Sequence, residues 1–148
     1  MRPFATPEGL GDRLRTAAFA ERQAYEAFHW AASRFTEAPE ALREAWRRLA
    51  EEEKRHGEMI LARMGELGVA VGAQTVSARL WNSLSSAQSP KEFSFLMKRS
   101  EERGRAAELS FQKKLATADP VTASMFAEIA EDEARHIALA EEFDKGAV

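Results

Sequence analysis

Apolar residues recur at three- and four-residue spacings along most of this chain, the period of a helix with one buried face. From 7 to 35 the stripe is Leu14, Ala17, Ala18, Tyr25, Phe28, Ala32 and Phe35. From 39 to 67 it is Leu42, Trp46, Leu49, Ile60 and Met64. Starts are marked as well. Thr6-Pro7, Ser89-Pro90 and Asp119-Pro120 each set a capping side chain before a proline, whose missing N–H costs nothing at the first helical position. Glu92 completes a capping box with Ser89. Four helices are predicted, at about 7–35, 39–67, 90–117 and 120–143, and no segment has the two-residue alternation of a strand between hairpin turns. The fold class is all-α.

The spacing of these helices predicts their arrangement. About three residues join the first to the second and the third to the fourth, so each pair should be an antiparallel hairpin. The link between the pairs, 68–89, is longer than a bundle loop needs, and 76–84 within it could form a short helix. A link of that length can run along the whole bundle. The expected architecture is one domain over 1–148, a four-helix bundle of two antiparallel hairpins joined by a long crossover. Leu80, Trp81 and Leu84 in that link must either cover the bundle or meet a partner, and a homodimer is expected on that ground.

Charge and composition narrow the function. The chain has 148 residues, 30% of them charged, with a formal net charge of -3. A nucleic-acid partner is not expected, because phosphate binding needs a basic excess. There is no cysteine, which excludes disulfides, thiolate zinc sites, iron–sulfur clusters and nucleophilic thiols. No apolar run has the length of a signal peptide core or a membrane span, so no membrane association and a cytoplasmic location are expected.

Glutamates interrupt the apolar stripes in a repeated pattern. Glu53-Lys-Arg-His56 returns 80 residues later as Glu133-Ala-Arg-His136, and the same shift carries Glu21 onto Glu101. Each half therefore reads glutamate, then Glu-x-x-His 32 residues on. Positions i and i+3 project side by side on a helix, so each Glu-x-x-His can bring one carboxylate and one imidazole to one ion. Four ionised carboxylates buried together need compensating positive charge. Two divalent cations supply it, and carboxylate-rich N/O ligation favours iron, with manganese as the other candidate. The expected ligands are Glu21, Glu53, His56, Glu101, Glu133 and His136.

These residues, with Glu21-Arg-Gln-Ala-Tyr25, Glu51-Glu-Glu-Lys-Arg-His56 and Glu131-Asp-Glu-Ala-Arg-His136, resemble the ferritin-like superfamily, and most closely its small rubrerythrin-like branch. The resemblance covers nearly the whole chain and includes the order of the motifs. It implies a di-iron carboxylate bundle that reduces peroxide, oxidises ferrous iron or activates dioxygen. Two departures are visible. Tyr25 falls on Arg105 in the second half, and Gly104 stands where rubrerythrins often carry a further glutamate. The cysteine-rich rubredoxin domain is also missing, so an external electron donor is required.

Other residues are set apart by the same pattern. Glu26-Ala-Phe-His29 also fits Glu-x-x-His but has no counterpart 80 residues on, and Glu26 lies about 140° around the helix from Glu21 at ~100° per residue. Glu102 adjoins Glu101, and the repeat selects Glu101. Glu108, two turns beyond Glu101, could contribute but is not counted in the set. Glu51, Glu52, Glu131 and Asp132 are expected on solvated faces. Trp30, Trp46 and Trp81 are expected to serve packing. Tyr25, one turn from Glu21, is the candidate for a hydrogen bond to a ligand carboxylate. The expected function is that of a dinuclear protein reacting with peroxide or dioxygen, a rubrerythrin-like peroxidase or ferroxidase. The alternatives are a di-iron hydroxylase of an organic substrate, resembling the quinone-biosynthesis and transfer-RNA hydroxylases, and a non-enzymatic iron-binding or storage subunit.

Overall fold

Thr6 caps the first helix by accepting a hydrogen bond from the Gly9 N–H at 3.0 Å, and α1 runs over Pro7–Arg34. A computed structural model describes residues 1–146 of the chain. Helix α2 spans Glu40–Leu67 and ends on Gly68, whose φ of 70° lies in the left-handed region. That conformation lets Val69 N–H reach Met64 O at 2.8 Å and Gly68 N–H reach Gly65 O at 3.2 Å, closing the helix end with its own carbonyls. After a 3-10 turn at Val71–Ala73 comes α3, Arg79–Leu84, shorter than the 76–84 helix expected. Ser89 and Asp119 then cap α4, Pro90–Leu115, and α5, Pro120–Asp144. Their side chains accept from Glu92 N–H and Thr122 N–H, both at 3.1 Å. Among the described residues there is no strand.

α1 packs along α2, and α4 along α5. Arg43 of α2 donates to Ala32 O near the end of α1, as an antiparallel hairpin requires. The hairpins meet through α2 and α5. Arg63 donates to Asp119 and Thr122, while higher on α5 His136 lies against Glu52, so these two helices also run oppositely. No helix of the described chain is long and apolar enough to cross a membrane.

A buried arginine ties the crossover to α1. Arg15 donates to Ala70 O at 2.8 and 3.2 Å and to Val71 O at 3.0 Å, and its Nη1 bonds Asp12 at 3.2 Å. Further on, Trp81 N–H donates to Gln23 Oε1 at 2.9 Å, and the Trp81 ring stands edge-on to Trp30 with centroids 6.3 Å apart. Leu84 is buried, and Leu80 and Trp81 pack against the same apolar cluster. The apolar residues of the connection thus pack on their own bundle, Leu84 fully and Leu80 and Trp81 in part.

The apolar core is in two parts. One gathers Phe28, Phe35, Trp46 and Phe93 at one end of the bundle. The other gathers Leu14, Ile60, Met64, Phe126 and Ile129 at the opposite end. Between them lies a belt of buried polar side chains.

Candidate metal centre

Every residue of the belt comes from a helix interior. α1 contributes Glu21, α2 contributes Glu53 and His56, α4 contributes Glu101 and Glu108, and α5 contributes Glu133 and His136; all seven are buried. Three triads each bring their ligand atoms within 4.8 Å of one another: Glu21, Glu53 and His56; Glu53, Glu101 and His136; Glu21, Glu108 and Glu133. The six residues expected from the repeat are therefore together. Glu53 is shared by the two histidine triads, and the rings of His56 and His136 face each other 6.3 Å apart.

Both imidazoles aim Nδ1 inward. His56 Nδ1 is 3.6 Å from Glu21 Oε2. His136 Nδ1 is 2.9 Å from Glu53 Oε1 and 3.3 Å from Glu101 Oε1. The outward nitrogens meet a second layer of carboxylates. His56 Nε2 bonds Asp132 at 2.7 Å, and His136 Nε2 lies 3.4 Å from Glu52. Asp132 and Glu52 are themselves related by the 80-residue shift, and so are the arginines that hold them. Arg55 bonds Asp132 at 2.7 Å, and Arg135 reaches Glu52 at 3.0 Å and Asp132 at 2.5 Å. Each half thus backs the other half's histidine. A carboxylate on the outer nitrogen fixes the ring and the tautomer and makes the inner nitrogen a better donor to an ion.

This corrects one expectation. Glu51 and Glu131 are solvated as predicted, but Asp132 is only 9% exposed and Glu52 is half-buried, both turned toward histidines. Their position one residue before Glu53 and Glu133 reads as a flank of the stripe, and only the packing of α2 on α5 brings them inward. Glu108, left open by the sequence, is brought to the belt. It is 5% exposed and stands with Glu21 and Glu133. Its seven-residue spacing from Glu101 puts it on the same helix face, the available signal. The repeat hides it, because the equivalent position in the first half is Phe28.

The remaining candidates lie apart. Tyr25 is half-buried, stands edge-on to His29 with centroids 4.9 Å apart, and forms no hydrogen bond with the cluster among the described residues. His29 pairs with Glu51 at 3.3 Å in a partly exposed setting. Glu102 faces solvent while Glu101 is buried, as the repeat selected. Gly104 makes room for the centre: a Cβ there would stand 3.3 Å from Glu133 Oε2.

The electrostatics express how much negative charge has been gathered. Burial pushes Glu21 and Glu108 up to about 8 and Glu101 up to about 7. Burial first, then neighbouring carboxylates, raise Glu53 and Glu133 further above the ordinary carboxylate range. Burial would lower His136, but Glu101 and Glu53 outweigh it and hold the imidazole up at about 11. Asp132 behaves oppositely. Burial raises it, yet His56 and Arg135 outweigh that and keep it below its usual value. Glu21 Oε2, His56 Nδ1, Glu108 Oε2 and Glu133 Oε2 are buried without a hydrogen-bond partner, and Glu53 Oε1 has only the His136 Nδ1 contact at 2.9 Å. Buried polar atoms are rarely left so. Four on one belt, carboxylate oxygens and an imidazole nitrogen, are the donor atoms of groups that could hold a metal ion.

Over residues 1–143 the chain matches the family described as Protein of unknown function (DUF455), and it belongs to that family. No curated protein and no solved structure matches it.

Proposed function

We propose that this member of the family is a ferritin-like dinuclear metalloprotein, with iron as the resident metal in preference to manganese, that reacts with peroxide or dioxygen in the manner of a rubrerythrin-like peroxidase or ferroxidase. The observation that carries the proposal is the belt of unpartnered carboxylate and imidazole atoms at the centre of the bundle. Glu21, Glu53 and His56 would hold one ion, and Glu101, Glu53 and His136 the other. Glu133, buried beside Glu21 and Glu108, would complete the set. The four carboxylates of the repeat balance two divalent charges, which removes the repulsion that raises their proton affinity.

Two ferrous ions in this set would supply the two electrons that, with two protons, convert one peroxide to two waters. The protein's part is positional. Asp132 and Glu52 keep Nδ1 of each histidine turned inward. Glu108 holds a proton beside Glu133, where one is needed as peroxide oxygen becomes water. The apolar clusters above and below the belt close it off toward the two ends of the bundle. Without cysteine the chain has no thiol or iron–sulfur donor, so an external reductant must return the electrons.

Metal analysis of anaerobically purified protein tests the class, with two irons per chain expected. Anaerobic stopped-flow of the ferrous-loaded protein with limiting peroxide tests the reaction, with one peroxide consumed for every two irons. Rapid reaction with oxygen and growth of ferric mineral would instead establish ferroxidase or storage. Protein that neither contains nor takes up metal would end the proposal.

A further inference from the structure

The hairpins do not close against each other along α1 and α4. A cleft of about 560 Å³ runs between these helices. That is the size of a site for a small organic molecule, and far more than a passage for two oxygen atoms requires. Its walls are wide because they are made of small residues, among them Ala20 and Ala24 of α1 and Ala107 of α4. Its floor includes Glu21, Glu101 and Glu108 of the candidate centre. α3 flanks the cleft, anchored to α1 where Trp81 N–H meets Gln23. Arg79 at the start of α3 and Arg103 on α4 also line it. Both are exposed, and neither guanidinium has an ion pair or hydrogen bond among the described residues. Most arginines elsewhere on the chain are engaged with carboxylates or carbonyls, as Arg15, Arg43, Arg55 and Arg63 are.

We propose that this cleft binds an amphipathic monocarboxylate, its carboxylate at Arg79 and Arg103 and its hydrocarbon end over the metal centre. The proposal rests on the dinuclear reading of the floor and names the class of organic molecule that would meet it. Polarity decides the direction. The floor is built of carboxylates, which the two ions of the dinuclear reading neutralise without leaving positive charge over. An anion finds its partner in the two unpaired guanidiniums and none on the floor. The apolar walls between them accept a hydrocarbon chain and disfavour a polar one.

Isothermal titration of the metal-loaded protein with decanoate tests this, with 1-decanol and decylammonium as comparisons. Decanoate should bind at one site, about tenfold tighter than the alcohol, since two charge-assisted contacts are at stake. Ala107→Trp fills the cleft from an exposed helical position and should abolish binding with metal content unchanged. The double variant Arg79→Glu, Arg103→Glu should weaken decanoate at least tenfold and turn the preference to decylammonium. Equal binding of decanoate by wild type and Ala107→Trp, or none by wild type carrying two metals, overturns the proposal and leaves the dinuclear reading intact. Failure to load metal defeats the dinuclear reading instead, and the orientation argued here falls with it. Sedimentation velocity covers the remaining occupant: a wild-type dimer that Ala107→Trp disperses would make the cleft an interface between copies and overturn ligand binding.

Discussion

Asp132 and Glu52 decide which nitrogen each histidine offers to the centre. Asp132 is the stronger of the two, being buried and 2.7 Å from His56 Nε2. Replacing it by alanine frees the ring to turn and removes the charge behind it. Asp132→Ala should weaken metal binding about 10- to 100-fold, measured by equilibrium dialysis of ferrous or manganous ion. His29→Ala, which removes only a partly exposed pair with Glu51, should leave binding unchanged. Gly104 poses a second contrast. Alanine there gains about 1 kcal/mol of helix propensity, but its Cβ would press on the Glu133 carboxylate from 3.3 Å. Gly104→Ala should therefore raise the thermal midpoint of metal-free protein while lowering metal affinity several-fold, a split that calorimetry and dialysis on the same samples would read.

At the scale of elements, the crossover depends on one buried guanidinium. Arg15 answers the carbonyls of Ala70 and Val71 and the carboxylate of Asp12 together. Arg15→Met keeps the apolar stem and leaves those acceptors short of a donor. The expected loss is about 3 kcal/mol, measured by urea unfolding, with faster proteolysis of the segment from Gly68 to Ala78. The caps of α1, α4 and α5 explain why these helices begin where the Thr6, Ser89 and Asp119 signals put them. α2 begins after Pro39 without a side-chain cap. Its start is set by the tight turn from α1, where Ala38 N–H bonds Phe35 O at 3.1 Å.

For the molecule as a whole, the belt makes stability depend on protons and, under the proposed function, on metal as well. Glu21 and Glu108 rise from 4.5 to about 8 in the folded chain. Their stabilising share is present below about 4.5 and lost as pH rises through 8. His136 rises from 6.5 to about 11, so its share is held below 6.5 and lost on the way to 11. Both act in the same direction. Metal-free protein should melt at progressively lower temperature from about pH 5 to about pH 9. Metal replaces the protons, so its binding strengthens over the same range. The rise in midpoint on adding ferrous or manganous ion should be larger at pH 8 than at pH 6, and a scan of both forms across pH would check it.

The helical class was determined by the sequence alone, because apolar period and capping residues are local and each helix carries its own. The 80-residue repeat also marked Glu21, Glu53, His56, Glu101, Glu133 and His136 before any fold was considered, since one symmetry places equivalent side chains equivalently. Glu108 escaped because it has no mate in the repeat. Asp132 and Glu52 escaped because a residue beside an apolar stripe is solvated or buried according to what packs over it, and here that is the other hairpin. The cleft between α1 and α4 was invisible for the same reason. Alanines on a stripe say that a face is apolar, and only the distance at which the two hairpins come to rest decides whether the space between them is filled or open.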